Sequence, residues 1–153
     1  MKFSAQEEYG LRILLRIAHN THSAGLTIPE ISVAERLTQA NVGKMLRILR
    51  MGGFVESERG ANGGYKLAKI PAHIIVADVL DALGGKLFKS SFCSDFSGVE
   101  TICTHTIDCS VRSLWRAVQS SVDNVLTRIS LKDLMSPEQK VDTFVNIILE
   151  ETN

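Results

Sequence analysis

Between Thr27 and Gly53 the chain writes two short helices head to tail, each with its own start signal, and a glycine-dense turn follows directly. Thr27-Ile28-Pro29-Glu30 reads as a capping box with a proline in the first turn, so a helix should run to about Arg36. Ile28, Ile31 and Leu37 are its expected apolar contacts. Thr38 offers a second cap. Val42, Met45, Leu46 and Leu49 then fall on one face, with Lys44, Arg47 and Arg50 on others, and Gly52-Gly53 stops the helix. Phe54–Glu58 reads as a strand, Arg59–Gly64 as a turn and Tyr65–Leu67 as the returning strand. Two helices joined by a tight turn, with a hairpin behind them, predict a winged helix-turn-helix.

The flanks read as further helices. Residues 4–19 place Tyr9, Ile13, Leu14, Ile17 and Ala18 on one face, with Glu8, Arg12 and Arg16 elsewhere. Ile75–Leu83 is another helix, ended by Gly84-Gly85. Residues 86–108 lack periodicity, and an irregular stretch of that length inside a small protein usually carries function or is disordered. From Cys109 to about Arg128 the helical period returns with Val111, Leu114, Trp115, Val118, Val122, Val125 and Leu126. So small a protein has little to bury this stripe against, which predicts a dimer interface. The alternative is an ordinary core helix packed on the first one. Ser130 caps a short turn. Ser136-Pro137 opens a last helix whose buried face should be Val141, Phe144, Val145, Ile148 and Leu149. The expected fold is mainly α, a winged helix-turn-helix with a small β-hairpin wing and a long C-terminal dimerisation helix. Its expected parts are residues 1–85 (DNA-binding), 86–108 (cysteine loop) and 109–153 (dimerisation and last helices).

Charge supports the division. Seventeen Lys and Arg balance seventeen Asp and Glu overall, yet residues 1–69 hold ten basic against six acidic groups and residues 70–153 hold seven against eleven. A basic front half suits a surface facing nucleic acid. No apolar run approaches the roughly 18 residues of a membrane span, and the N-terminus lacks a secretory apolar core, so a soluble cytoplasmic protein is expected. Gly60–Gly64 lies between strands rather than before a helix, so it is no phosphate loop, and no nucleophile–base pairing is visible. An enzyme is not expected.

A recognition helix presents its first residues to the major groove. Here these are Thr38, Gln39, Asn41, Gly43 and Lys44. Gln39 and Asn41 can read adenine edges, and Lys44 can reach guanine or phosphate. Arg47, one turn on, suits a phosphate. Arg59 on the wing suits the narrow minor groove. Each has a plainer reading: Gln39 and Asn41 also favour a helix start, and Arg50 and Lys66 also suit solvated surface. A homodimer would set two such helices on a pseudo-palindrome of double-stranded DNA, with half-sites about 34 Å apart or a multiple of that.

Cys93, Cys103 and Cys109 are the only cysteines and follow a C-x9-C-x5-C spacing. An odd count in a cytoplasmic chain disfavours a disulfide framework. Soft thiolates on one loop suit an iron–sulfur cluster or zinc, and a helix start at Cys109 favours its ligating thiolate.

The run Leu37–Gly85, centred on GFVESERGANGGYKLAK, resembles the winged-helix transcriptional regulators typified by IscR, NsrR and CymR. MKFSAQEEYGLRILLRIA resembles that family's opening helix and SLWRAVQ the start of its dimer helix, so the likeness spans about residues 1–135. Arg59-Gly60 followed by Gly63-Gly64-Tyr65 is its most specific part. The resemblance implies an arginine working on the wing and an iron–sulfur cluster held by Cys93, Cys103 and Cys109, 2Fe–2S ahead of 4Fe–4S. Two departures stand out. The first cysteine interval is longer than usual, and the histidine that IscR carries three residues after its last cysteine is Arg112 here. Glu8 matches the position where NsrR-type members use an acidic ligand from the other subunit. His105, inside the loop, is the second choice. The expected function is a DNA-binding regulator sensing redox state, nitric oxide or iron–sulfur status. The alternatives are a cluster-free regulator governed by thiol oxidation or a partner, and a structural zinc site on Cys93, Cys103, Cys109 and His105.

Overall fold

The computed structural model describes residues 4–21, 23–58, 63–89, 92–95, 97, 103, 105 and 108–151. The first helix, α1 (Ala5–Ala18), opens on a capping box: the Glu7 amide donates to Ser4 Oγ at 3.4 Å and the Ser4 amide to the Glu7 carboxylate at 2.6 Å. Helix α2 (Ile28–Glu35) opens the same way, with the Thr27 amide donating to Glu30 at 2.8 Å. It closes on Arg36 in the left-handed conformation, φ 55°. Leu37 and the cap Thr38 then lead straight into α3 (Gln39–Met51), whose Asn41 amide donates to Thr38 Oγ1 at 3.2 Å. These boundaries agree with the sequence expectation because each is set by a local cap.

The hairpin is shorter than expected at its first strand. Strand β1 (Val55–Ser57) pairs antiparallel with β2 (Tyr65–Leu67), Glu56 opposite Lys66. Phe54 is spent on the core instead and is buried. Leu26, just before α2, exchanges two hydrogen bonds with Tyr65, Leu26 N–H to Tyr65 O at 3.0 Å and Tyr65 N–H to Leu26 O at 2.7 Å, so the wing is stitched to the helix-turn-helix. Gly64 sits at that seam. A Cβ there would lie 2.8 Å from the backbone of Gly25 and Leu26, so this glycine answers a close approach inside the fold.

A 3-10 turn (Pro71–His73) leads to α4 (Val76–Leu83). Ile13, Leu14, Ile31, Val42, Leu46, Leu49 and Ile74 are wholly buried where α1, α2, α3 and α4 converge. Burial of this kind, at about 25 cal/mol per Å² of apolar surface, drives the domain together. A single-turn helix α5 (Phe92–Asp95) follows, then α6 (Ser110–Leu126), the single turn α7 (Leu131–Leu134) and α8 (Glu138–Glu150). Val76, Leu80, Ile129 and Ile148 form a second, smaller core. The Val76 amide donates to Ile129 O at 2.9 Å and the Leu131 amide to Ile74 O at 2.8 Å, which fastens the end of α6 to the start of α4.

One expectation about burial needs correcting. Of the five residues assigned to the buried face of α8, only Ile148 is buried; Val141 and Val145 are half-buried, and Phe144 and Leu149 are exposed. Along α6 the single buried residue is Gln119, while Val111 and Leu114 are each 57% exposed. Among the described residues the elements that meet these faces most are α4, α7 and a short stretch of each other, and they leave much of both stripes exposed.

Candidate nucleic-acid interface and cysteine site

The core side of α3 is fixed by Val42, Met45, Leu46 and Leu49, all buried. That rotation turns Thr38, Gln39, Asn41, Lys44 and Arg47 outward, and all five are exposed. Thr38 is partly committed to capping. Gln39 and Asn41 project from the first turn, where backbone amides carry partial positive charge, and Lys44 and Arg47 from the turns that follow.

The arginines divide into two sets. Arg12 and Arg16 of α1 both grip Glu35, which is buried at the end of α2, with Arg12 Nε to the carboxylate at 3.0 Å and Arg16 Nε at 2.7 Å. Arg12 also donates to the Glu35 carbonyl at 3.0 Å. Among the described residues, Lys44, Arg47 and Arg50 have no acidic partner. The positive charge of α3 is thus uncompensated. Lys66, expected as solvated surface, instead pairs with Glu58 across the hairpin and is half-buried. Arg59 lies outside the described residues, as do Gly60, Ala61 and Asn62.

The cysteines line one hollow. Cys93 comes from α5, and Cys109 is the N-cap of α6, its Sγ accepting the Arg112 amide at 3.3 Å. Both border a hollow of about 270 Å³ together with Cys103, His105, Arg112 and the rings of Phe88, Phe92 and Trp115. All three thiols are free and half-buried. Phe88 and Phe92 stand 5.0 Å apart and Phe92 and Trp115 6.5 Å, so an aromatic wall backs the sulfurs. Among the described residues, no three His, Cys, Asp or Glu side chains come close enough together to hold a metal ion. His105 is on the rim with the cysteines. Glu8 is not: it is exposed on α1 and takes no part in lining the hollow of its own chain.

Gln119, which sequence reading passed over, ties this site to the lever behind it. From the middle of α6 its Oε1 accepts the Phe88 amide at 2.8 Å, and its Nε2 donates to Asp123 at 2.8 Å. Asp123 faces Lys86 at 3.8 Å. A polar residue one turn from Trp115 inside an apolar stripe was the only sequence signal for it. The aromatic wall is therefore held from α6 as well as from its own segment.

Comparison with known proteins identifies a family. Residues 3–137 match the model of the Rrf2 family, described as iron-dependent transcriptional regulators. The protein rrf2 of Nitratidesulfovibrio vulgaris is 30% identical over 135 residues, covering 88% of this chain and 87% of that one. Among solved structures, CymR, the global cysteine regulator of B. subtilis, superposes with a TM-score of 0.69 at 28% identity, over 88% of this chain and 96% of its own. T. potens IscR gives 0.68 at 29% identity, over 88% and 86%. These relatives are regulators, not enzymes. No helix among the described residues is long and apolar enough to cross a membrane.

Proposed function

Since the chain belongs to the Rrf2 family of transcriptional regulators, we propose that it works as a homodimer on double-stranded DNA and that Cys93, Cys103 and Cys109 hold an iron–sulfur cluster governing that binding. The observation that carries the reading is the opening of all three thiols, with His105, onto one hollow at the start of α6.

The donors suit such a group in kind. Thiolates are the preferred ligands of iron–sulfur iron. A lone zinc ion needs its ligands to converge at about 2.0–2.3 Å from one point. Here three cysteine sulfurs line one hollow with an aromatic wall beside them, donors of the kind an iron–sulfur cluster takes. Cys93, Cys103 and Cys109 would supply three ligands, and Glu8 of the partner subunit the fourth, with His105 as the substitute. When bound, a cluster, most simply 2Fe–2S, supplies iron that responds to oxygen, nitric oxide or electron transfer.

The rest is the work of this chain's own residues. Gln39 and Asn41 read base edges, Lys44 a base edge or phosphate, and Thr38 and Arg47 phosphates, while Arg59 brings the wing to the minor groove. The exposed Val111, Leu114 and Trp115 face of α6 seats the second copy. Cys109 begins α6, and backbone bonds at Ile129 and Leu131 fasten the other end to α4. A change at the thiols therefore passes along one helix to the DNA-reading domain. A few kcal/mol of difference between two states would shift their populations decisively. Such a regulator acts beside the chromosome, in the cytoplasm.

The test is anaerobic purification with iron and acid-labile sulfide counted per chain. Visible absorbance together with stoichiometric iron and sulfide supports the cluster. Colourless, iron-free protein after reconstitution would remove it. A second reading, direct thiol sensing without a cluster, draws on the three free thiols and on a relative named for cysteine regulation. Its signature is iron-free protein whose DNA affinity changes on mild oxidation and recovers with a thiol reductant.

A further inference from the structure

Gly43 lies in the middle of α3, and nothing in the fold calls for glycine there. Its backbone is helical and it is absent from the positive-φ glycines, which are Gly25, Gly53 and Gly85. A Cβ built on it would meet a single atom within 4 Å, Ile28 Cδ1 at an ordinary contact distance of 3.9 Å. Contrast Gly64, where a Cβ would collide with backbone. Glycine inside a helix is destabilising relative to alanine, so α3 carries a penalty that packing does not explain.

The position has a distinctive setting. Residues three and four apart share a helix face, so Gly43 lies between Gln39 one turn before and Arg47 one turn after, with Ala40 alongside. Gln39, Ala40, Lys44 and Arg47 are exposed and Gly43 is half-exposed. Ala40 and Gly43 thus make a small apolar notch walled by long polar side chains. In the major groove the one apolar feature of that size is the 5-methyl group of thymine.

We infer that Gly43 is a specificity-determining residue of the DNA reader, its bare backbone receiving a thymine methyl that any side chain would exclude. The inference rests on α3 being the element that reads DNA. It adds a readout of shape and methyl contact to the hydrogen-bonding readers Gln39, Asn41 and Lys44.

The test uses the full chain and a duplex recovered by the wild-type protein from a random-sequence pool. Binding is followed by fluorescence anisotropy at fixed salt, and stability by thermal unfolding without DNA. Gly43→Ala should raise the melting temperature by about 3 °C while weakening binding about tenfold or more, with the salt dependence unchanged because phosphate contacts remain. Replacing thymine by uracil at one position per half-site should weaken the wild type about fivefold and leave Gly43→Ala nearly unaffected, since the contact is already lost. Gly43→Ala binding within twofold of wild type, or the absence of any uracil-sensitive position, would overturn the inference while leaving α3 as the reader. A wild-type protein that recovers no preferred duplex would take the reader and the inference down together.

Discussion

The front and back halves of this chain are built from the same kind of amphipathic helix and finish very differently. In the front half every apolar stripe finds cover. Ile13 and Leu14 of α1, Ile31 of α2 and Leu46 of α3 are all lost from solvent in one core. In the back half the stripes are as regular, yet Val111 and Leu114 of α6 and Phe144 and Ile147 of α8 remain exposed. Periodicity states that a face wants burying; it does not state what buries it. The front half answers that demand within one chain, because four helices and a hairpin surround a shared centre. Among the described residues the back half has two long helices and two single turns, too few to cover both stripes, and a second copy of the chain is the cover we propose.

The same truncation applied to each half would break this contrast if it is wrong. Leu46→Ala opens a cavity in a filled core and should cost about 3 kcal/mol in urea unfolding at any protein concentration. Leu114→Ala should leave unfolding of the isolated chain almost unchanged, since its side chain already faces water. The sharper probe of the back half is Leu114→Asp, which sets a charge in the proposed dimer seam. Self-association followed by analytical ultracentrifugation should weaken about thirtyfold, roughly 2 kcal/mol, with the helical circular dichroism intact. Equal destabilisation of the chain by both alanine variants would mean that α6 packs in a core of its own chain after all.

The difference between the halves also explains what sequence could reveal. The starts of α2 and α3 were legible to the residue because Thr27, Glu30 and Thr38 act within one turn of themselves. The wing was legible from its glycines, although the reason for Gly64, contact with the Gly25–Leu26 backbone, required the fold. Glu35 with Arg12 and Arg16 was not legible, since 19 and 23 residues separate partners that only helix packing brings together. The cysteine cluster was legible as composition, but its common hollow depends on the segment after α4 closing on α6, a long-range event. The buried face of α8 was overstated because single-chain cover cannot be counted from periodicity alone, and the exposed stripe of α6 meets the same limit.

Gln119 belongs to that illegible class and offers a milder test of how the halves communicate. Gln119→Leu removes the acceptor for the Phe88 amide and the donor to Asp123. The expected cost is about 1.5 kcal/mol in stability, because an amide is left unpaired in a half-buried place. Amide hydrogen exchange at Phe88 should speed in step, while amides of α3 exchange as before. If Phe88 exchange is unchanged, the aromatic wall is held by its own segment, and the tie from α6 is incidental.

Thr38 gives the smallest effect and the cleanest separation of folding from recognition within the front half. Its hydroxyl caps α3 by accepting the Asn41 amide, and the same residue stands exposed at the edge of the candidate DNA surface. Thr38→Ala should cost about 1 kcal/mol through loss of the cap. Thr38→Ser should restore nearly all of it. Thr38→Asp should cap at least as well, since a carboxylate is favoured at a helix start, yet it sets a negative charge where phosphates approach. A role confined to folding predicts that DNA affinity follows stability through all three variants. A role in recognition predicts that Thr38→Asp is as stable as wild type and binds the selected duplex far more weakly, while Thr38→Ser changes neither. The divergence of those two capped variants, measured by thermal unfolding and anisotropy on the same samples, decides whether the first residue of the reader works for the helix alone.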